Sequence, residues 1–139
     1  MKLVIQTNVA GRLLFWLVAK GSIQAKLSKI VQWHGSDVAL QAIDTMLKKN
    51  KKTLSGIVVV RGPGSFTAVR TGLIIANTLA SLLDLPVYGV VHTLTLTDSE
   101  VLKVVQQEGK RRTLIKPWYG KSPNITKSKK KLPQARAKR

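Results

Sequence analysis

The chain has 139 residues, 44% of them hydrophobic, so it is long enough for one domain with a real core. It contains no cysteine, which excludes disulfides and thiolate metal sites, and its formal net charge is +18. The apolar run that begins at Leu3 is too short for a signal peptide. Since no apolar run reaches the length of a membrane span, we expect a soluble cytoplasmic protein.

Three antiparallel strands are predicted at the start of the chain. The first is Lys2–Thr7 and the second is the apolar run Arg12–Ala19, and the short glycine-containing connection between them favours a hairpin. Residues Ile23–Trp33 then alternate between apolar and polar side chains, as in a strand with one exposed face. The alternation changes phase at Lys29–Val31, which indicates a bulge there.

A helix with a single apolar stripe is predicted from Asp37 to about Lys49. It follows the third strand and ends in a run of lysines, which the negative end of a helix dipole favours. We interpret those lysines as a solvated helix end.

The central stretch, Ile57–Arg70, predicts a strand, a tight glycine turn and the first turn of a long helix. Ile57–Val60 is β-branched, as in a strand that is covered on both faces. Gly62-Pro63-Gly64 ends that strand, and Ser65 or Thr67 can cap the helix. Such a turn presents backbone N–H groups and a positive dipole end, so it is a candidate anion or nucleotide site. That site would comprise Gly62, Gly64, Ser65 and Thr67.

The alternative is a strand-to-helix turn without any ligand. The motif lacks the lysine of a P-loop and the third glycine of a dinucleotide fingerprint, and both absences favour this alternative.

The helix predicted from Ser65 to about Leu83 carries a wider apolar surface than one side of a sheet would bury. Small residues recur in it at every fourth position, which would let another helix approach closely. Gly72 costs about 1 kcal/mol of helix stability relative to alanine, so we expect a packing reason for it. The helix is therefore either buried within its own fold or shared with a partner.

The predicted order of elements is β-β-β-α-β-α-β-α. After Pro86 a short buried strand covers Val87–Val91, and Thr97 or Asp98 caps a last helix that ends near Gln107. Right-handed crossovers would add two parallel strands to the antiparallel meander. The sequence therefore predicts an α/β lobe with a five-stranded mixed sheet and about three helices.

The composition changes at Gly109. From Gly109 to Arg139 there are 12 Lys or Arg and no acid, with few apolar residues, which predicts a disordered or loosely docked tail. We therefore divide the chain into a lobe, residues 1–108, and a basic tail, residues 109–139. For Trp118 and Tyr119 we favour docking on the body over stacking on a base. Candidate RNA contacts in the tail are Lys110, Arg111, Arg112, Lys129, Lys130 and Lys131.

We find no catalytic constellation in the sequence. The same element order suits ribonuclease H-like nucleases, which need clustered carboxylates to hold two metal ions. The first strand offers Gln6 and no acid, and the remaining acids and both histidines show no metal-ligand spacing. Ser65 has no credible base and carboxylate beside it. We predict no catalytic residue and no metal site.

The run Arg61-Gly62-Pro63-Gly64-Ser65-Phe66-Thr67, followed by Arg70, Gly72-Leu73 and Ala76, resembles the TsaB (YeaZ) family. That family carries the signature R-G-P-G-S-F-T-G-x-R-x-G-L-x-x-A-K at this place. The resemblance implies a lobe of the actin-like ATPase, or ribonuclease H-like, fold. The family has a second lobe that these 139 residues do not include, so we expect either a minimal version of the family or a fragment, with the basic tail in that lobe's place.

The resemblance also implies a function. Family members act in the complex that makes N6-threonylcarbamoyladenosine at position 37 of tRNA, as non-catalytic scaffold subunits that bind a TsaD-like catalytic subunit. It allows a homodimer, a TsaE-like ATPase partner, ATP or ADP at the complex interface, and tRNA bound through the complex or the tail. The implied partner interface comprises Leu40, Ile43, Leu47, Val69, Gly72, Leu73 and Ala76.

Three residues depart from the family pattern: Gln6 replaces an aspartate of the first strand, Ala68 a glycine, and Asn77 a lysine. The first change weakens any nucleotide or metal role. Two other functions stay open at this point. One is a free-standing nucleic-acid-binding protein that uses the tail, and the other is an enzyme that hydrolyses a nucleotide at the glycine turn.

Overall fold

A five-stranded mixed sheet forms the centre of the fold. The structure is a computed structural model, and it describes residues 1–9, 11–30, 41, 43–45, 48, 54–106 and 114–119. The strands are β1 (Lys2–Gln6), β2 (Arg12–Ala19), β3 (Ser22–Ile30), β4 (Gly56–Val60) and β5 (Val87–Val90). Two helices are described over their length, α1 (Phe66–Leu83) and α2 (Asp98–Gln106), and helical backbone at 41 and 43–45 belongs to a third. This is the order that the sequence predicts.

The sheet has the strand order β3-β2-β1-β4-β5. β1 pairs antiparallel with β2, and β2 with β3, so the first half of the chain is a meander. β4 adds to the other side of β1 in parallel, and β5 adds to β4 in parallel. Every residue of β4 is buried, as its β-branched run predicts for a strand covered on both faces.

The two described helices cover opposite faces of the sheet. On one face, Leu3 and Ile57 pack in a cluster that includes Val69 and Leu73 of α1. On the other face, Val4 and Val58 belong to a cluster that contains Val101 of α2. Adjacent strand residues point to opposite faces, so β1 and β4 supply both clusters at once.

The irregularity in β3 lies at the opposite end from the predicted bulge. Leu17 pairs with Ala25 and Val18 with Ile23, which leaves Gln24 as the extra residue. Residues 29 and 30 are in regular register with β2, so the predicted bulge at Lys29–Val31 is wrong for its described part. The extra residue follows a two-residue turn in which Lys20 and Gly21 both have positive φ, of 53° and 74°. Such turns match the twist of a hairpin, and a bulge beside the turn increases that twist.

Both ends of α1 are capped. The Ser65 hydroxyl accepts a hydrogen bond from the Ala68 N–H at 3.3 Å, so Ser65, one of the two predicted candidates, is the N-cap. At the other end, Asp84 has a left-handed backbone with φ 54°, and the Leu85 N–H donates to the Ala80 carbonyl at 2.9 Å. This arrangement satisfies the last helical carbonyls without glycine.

By length and composition α1 is long and apolar enough to cross a membrane, whereas the sequence predicts no segment of that length. The other described helix, α2, is not long and apolar enough. In the structure, however, α1 lies on the sheet. The residues that it buries there are Val69, Gly72, Leu73, Ile75, Ala76 and Ala80. A core helix meets the same criterion, and packing against the sheet accounts for this apolar stripe.

Gly72 lies where α1 crosses the end of β1. A β-carbon at Gly72 would overlap the Thr7 hydroxyl oxygen and lie 3.2 Å from its methyl carbon. The same hydroxyl donates to the Ala68 carbonyl oxygen at 2.7 Å, so it cannot turn away without losing that bond. The packing reason expected for Gly72 is therefore contact within the chain.

We expect Gly72→Ala to lower the free energy of unfolding by about 1–3 kcal/mol, because overpacking outweighs the better helix propensity of alanine. Urea unfolding measures this change. In the double variant Thr7→Ala/Gly72→Ala the overlapping hydroxyl is gone, so the combined loss should be smaller than the sum of the single losses. Thr78→Ala, on the exposed side of α1, is the control and should change stability by no more than about 0.5 kcal/mol. Strict additivity of the two core changes would contradict the contact.

Candidate functional site

The carboxyl ends of the parallel strands β1, β4 and β5 meet at one edge of the sheet. Open α/β sheets bind their ligands at this edge. Three connections lie there: residues 6–8 after β1, the glycine turn 62–64 after β4, and the loop 91–97 after β5. The fold and the glycine motif therefore both indicate this edge of the sheet as the candidate site.

Gln6 is fully buried at the end of β1 and uses its whole side-chain amide internally. Its Nε2 donates to the Leu94 carbonyl oxygen at 2.8 Å and to Asn8 Oδ1 at 3.0 Å. Its Oε1 accepts from the Leu96 N–H at 2.9 Å. Both amide protons are therefore taken, and Gln6 attaches the loop 91–97 to β1.

Asn8 continues the same network. Its Nδ2 donates to the Pro63 carbonyl oxygen at 2.7 Å and to the His92 carbonyl oxygen at 2.6 Å. The side chain thus connects the glycine turn to the loop after β5. Because the amide protons of Gln6 and Asn8 all have partners within the chain, neither side chain offers a donor to a phosphate.

The glycine turn is shaped by close backbone contacts. Gly62 has φ +136°, and a β-carbon on it would overlap the Trp118 carbonyl oxygen. A β-carbon on Gly64 would lie 2.8 Å from the Asn8 carbonyl oxygen. Both glycines are needed because other segments approach the turn so closely.

The four residues of the predicted anion site are not equally accessible. Gly62 is buried under the backbone of Trp118, whereas Gly64, Ser65 and Thr67 are exposed; the Ser65 hydroxyl oxygen also accepts the capping hydrogen bond. Binding of an anion or a nucleotide at this turn stays a prediction. The described residues place the Gln6 amide where the family pattern has a carboxylate. They also contain no group of three His, Asp or Glu that could hold a metal ion.

The loop after β5 leads into a capping box at the start of α2. The Thr97 N–H donates to Glu100 Oε1 at 2.9 Å, and the Glu100 N–H donates to Thr97 Oγ1 at 3.2 Å. Hydrogen bonds to the Glu100 carboxylate from the Thr97 backbone N–H and from the Thr97 hydroxyl, with smaller contributions from His92 and Lys103, lower the pKa of Glu100. A cavity of about 420 Å³ beside the loop is lined by this glutamate and His92 but by no lysine or arginine.

A C-terminal segment, residues 114–119, docks on the lobe beside the glycine turn. Ile115 is buried in the core cluster under α1. Asn77 of α1 donates from Nδ2 to the Ile115 carbonyl oxygen at 3.1 Å and accepts the Ile115 N–H at 3.0 Å. The Trp118 N–H donates to the Arg61 carbonyl oxygen at 2.8 Å. The favoured docking of Trp118 and Tyr119 is confirmed.

Sequence reasoning noted Asn77 only as a departure from a family pattern and missed its role. The available signal was an amide side chain in an otherwise apolar stretch of helix. The docked segment lies within the predicted tail, and the tail's six candidate RNA contacts lie outside the described residues. The division of the chain after residue 108 stays a prediction.

Five of the seven residues of the predicted partner interface lie within the described part of the chain. Leu40 and Leu47 lie outside the described residues, and the five others are brought together but are buried in the core of this chain. Ile43, Val69, Leu73 and Ala76 are at most 4% exposed, and Gly72 is also buried. Ile43, Val69, Gly72, Leu73 and Ala76 therefore pack within this lobe, and their part in a partner interface stays a prediction.

Comparison with known proteins agrees with this fold and motif. A family model described as "TsaD: tRNA N6-adenosine threonylcarbamoyltransferase" matches residues 29–111, more than half of the chain. The chain belongs to this family. A TsaD-family relative, the tRNA threonylcarbamoyladenosine biosynthesis protein TsaB of Bacillus subtilis (strain 168), is 35% identical over 83 residues. The match covers 58% of this chain and 36% of that protein, so the chain spans about a third of its length.

Solved structures related to the TsaD family share the fold. YeaZ from Pseudomonas aeruginosa superposes with a TM-score of 0.58 at 22% identity, over 65% of this chain and 43% of YeaZ. A second crystal structure is of an uncharacterized protein with similarity to peptidase YEAZ from Pseudomonas aeruginosa. It superposes with the same TM-score of 0.58, and the match covers 42% of that protein. The resemblance to TsaB (YeaZ) and the predicted α/β lobe are confirmed.

We expect Gln6→Glu to destabilise the fold at neutral pH. A carboxylate cannot donate to the Leu94 carbonyl or to Asn8, and an unpaired buried group costs about 1–3 kcal/mol, more when charged. Burial would raise the pKa of this glutamate above its ordinary value of about 4.3. The loss should thus be largest above the raised pKa and shrink as the pH falls to about 5 and below.

Urea unfolding at neutral pH and at about pH 5 would measure this effect. The matched control is Gln41→Glu, which places the same charge on an exposed helical residue and should change stability by no more than about 0.5 kcal/mol. Wild-type stability of the Gln6 variant at neutral pH would show that the network is not important for the fold.

Proposed function

We propose that this protein is a non-catalytic scaffold subunit in the formation of N6-threonylcarbamoyladenosine in tRNA. Its partner in this proposal is a TsaD-like catalytic subunit. The family match and the 35% identity to the B. subtilis TsaB protein support the pathway. The site of action would be the cytoplasm, where tRNA is modified.

The observation that carries the non-catalytic part of the proposal is the closed amide network. At the edge where related folds would hold a ligand, the side-chain amides of Gln6 and Asn8 donate hydrogen bonds to the glycine turn and the loop 91–97. A network of neutral, saturated amides can position loops, but it cannot transfer protons or hold a metal ion. The neighbouring hydroxyl of Ser65 is likewise used as a helix cap.

The outer side of α1 is our proposed contact for the catalytic subunit. Ile74 and Leu82 are 58% and 76% exposed there, although the opposite side of the same helix is packed on the sheet. Exposed aliphatic side chains on a rigid helix are suited to pack against a helix of a partner. Two copies of this chain could pair through the same side, which sedimentation of the isolated protein would detect.

We expect Ile74→Arg to weaken association with the TsaD-like subunit of the same organism by about tenfold or more, because a charge would enter an apolar contact. Affinity can be measured by titration calorimetry of the two purified proteins. The matched control is Ile30→Arg, which adds the same charge at an 83% exposed residue of β3, at the far edge of the sheet.

A functional test accompanies the binding test. Expression of this chain in bacteria depleted of their own TsaB, together with its TsaD-like partner, should restore N6-threonylcarbamoyladenosine in tRNA, as quantified by mass spectrometry. If the wild-type chain neither binds that partner nor restores the nucleoside, the proposed function is wrong.

A second candidate function is nucleic-acid binding through the basic tail. The observation in its favour is the run of 12 Lys or Arg without an acid from Gly109 to Arg139. If about six phosphate contacts form, the logarithm of affinity for tRNA should fall with log salt at a slope of about −4 to −5.

Replacing Lys129, Lys130 and Lys131 with alanine should make this slope shallower by about 2–3, since each lost phosphate contact removes about one unit. Lys26, Lys29 and Lys103 on the lobe, replaced together, form the control with the same change in net charge. Equal slopes for the two triple variants would rule out a specific role for the tail.

A further inference from the structure

Aromatic side chains gather at the surface next to the glycine turn. The chain has seven aromatic residues, and three of them, Phe66, Trp118 and Tyr119, are the first residue of α1 and the end of the docked segment. Phe66 is 60% exposed and Trp118 is 39% exposed. The Phe66 and Tyr119 rings stack with centroids 5.9 Å apart and an interplanar angle of 17°. Large rings left this open to water call for an explanation.

One cation lies against the Phe66 ring, and the docked segment carries another. The Arg70 guanidinium carbon lies 4.7 Å from the centroid of the Phe66 ring, and Lys116 is exposed in the docked segment. The first turn of α1 carries no acid. We name Phe66, Arg70, Lys116, Trp118 and Tyr119 the aromatic–cationic surface, and it contains two cations and no carboxylate.

The fold holds this surface in place from below. The Asn77 side chain forms two hydrogen bonds with the backbone of Ile115, and the Arg61 side chain donates from Nε to the Lys116 carbonyl oxygen at 3.1 Å. The Trp118 N–H is bonded to the Arg61 carbonyl oxygen. A ligand that stacks on Tyr119 or Phe66 would therefore lose little conformational entropy of the protein.

We propose that the aromatic–cationic surface binds unpaired nucleotides of RNA by base stacking, with Arg70 and Lys116 contacting neighbouring phosphates. Exposed aromatic rings interleaved with cations are the common device of proteins that bind single-stranded nucleic acid. Of the 20 residues that follow Tyr119, eight are Lys or Arg and none is an acid, so positive charge continues in the sequence from this surface.

An anionic membrane would attract the same cations, but the geometry favours bases. Phe66 and Tyr119 lie ring against ring, with Arg70 over Phe66, which is an arrangement of flat faces. This surface goes beyond the scaffold role, because it gives the lobe its own contact with RNA. The inference rests on the exposed rings and does not depend on binding to a catalytic subunit.

The test uses the full chain and a fluorescein-labelled oligonucleotide of about 12 unpaired nucleotides, with affinity measured by fluorescence anisotropy at about 0.1 M salt. We expect Phe66→Leu and Tyr119→Leu each to weaken binding by about 5- to 150-fold, the loss of one stacked base. Leucine keeps an apolar side chain at each position. Ile30→Ala, at an 83% exposed residue of β3 on the far edge of the sheet, should leave the affinity unchanged.

Two readouts separate stacking from a general structural effect. Phe66→Leu should leave the salt slope unchanged, whereas Arg70→Gln should make it shallower by about one. The penalty of Phe66→Leu should also disappear with a double-stranded RNA of the same length, because its paired bases cannot stack on a side chain. Thermal unfolding identifies any variant that fails to fold, and the remaining variants then decide.

The proposal is overturned if folded Phe66→Leu and Tyr119→Leu variants bind unpaired RNA as tightly as the wild type. It is also overturned if Phe66→Leu impairs binding to phosphatidylglycerol vesicles and leaves RNA binding intact, which would indicate a membrane contact. Association of the same variants with the TsaD-like subunit is measured in parallel. We expect it to be unchanged, so failure of one proposal leaves the other standing.

Discussion

The side-chain amides of Gln6 and Asn8 hold together the part of the molecule where the chain is least regular. Each amide connects segments that are far apart in sequence: the end of β1, the glycine turn after β4 and the loop after β5. Buried neutral amides can do this because each one both donates and accepts, whereas a carboxylate in the same place would face the carbonyl oxygens of its neighbours. The arrangement of the whole carboxyl edge depends on this chemistry.

The network also explains why a motif typical of ligand binding serves a structural purpose in this chain. The glycines of the turn are occupied by close contacts with Asn8 and with the backbone of Trp118. The docked segment thus lies where an incoming ligand would otherwise meet Gly62. The outer side of α1 and the neighbouring rings of Phe66 and Trp118 are among the surfaces that stay exposed on this side of the lobe.

Regular patterns in the sequence were sufficient to predict most of the fold. The β-branched run of β4, the alternation along β3 and the hydroxyl before α1 each specify local structure, and these elements are confirmed. The predicted bulge was displaced because the alternation in β3 cannot report which strand residue lacks a partner. That depends on the twist of the Lys20-Gly21 hairpin.

The site was harder to predict, because its contacts join residues that are distant in the sequence. An apolar stripe on α1 has the same sequence pattern whether it faces a partner or the sheet of its own chain. The contact between Thr7 and Gly72 shows that the Gly72 side of α1 packs on the sheet. Besides the burial of Ile115 and the bonds to Arg61, the docking of residues 114–119 uses one side-chain amide of the eighteen-residue helix α1, that of Asn77. No periodicity marks such a residue in advance.

The long reach of the network has a consequence for the order in which the molecule assembles. β1, β2 and β3 follow one another in the chain and pair as two hairpins, so their pairing closes only short loops. The bonds from Gln6 to the loop after β5 join residues 88 and 90 positions apart. Because distant contacts become favourable only after the intervening chain is ordered, we expect the meander to form early and the carboxyl edge to close among the last steps of folding.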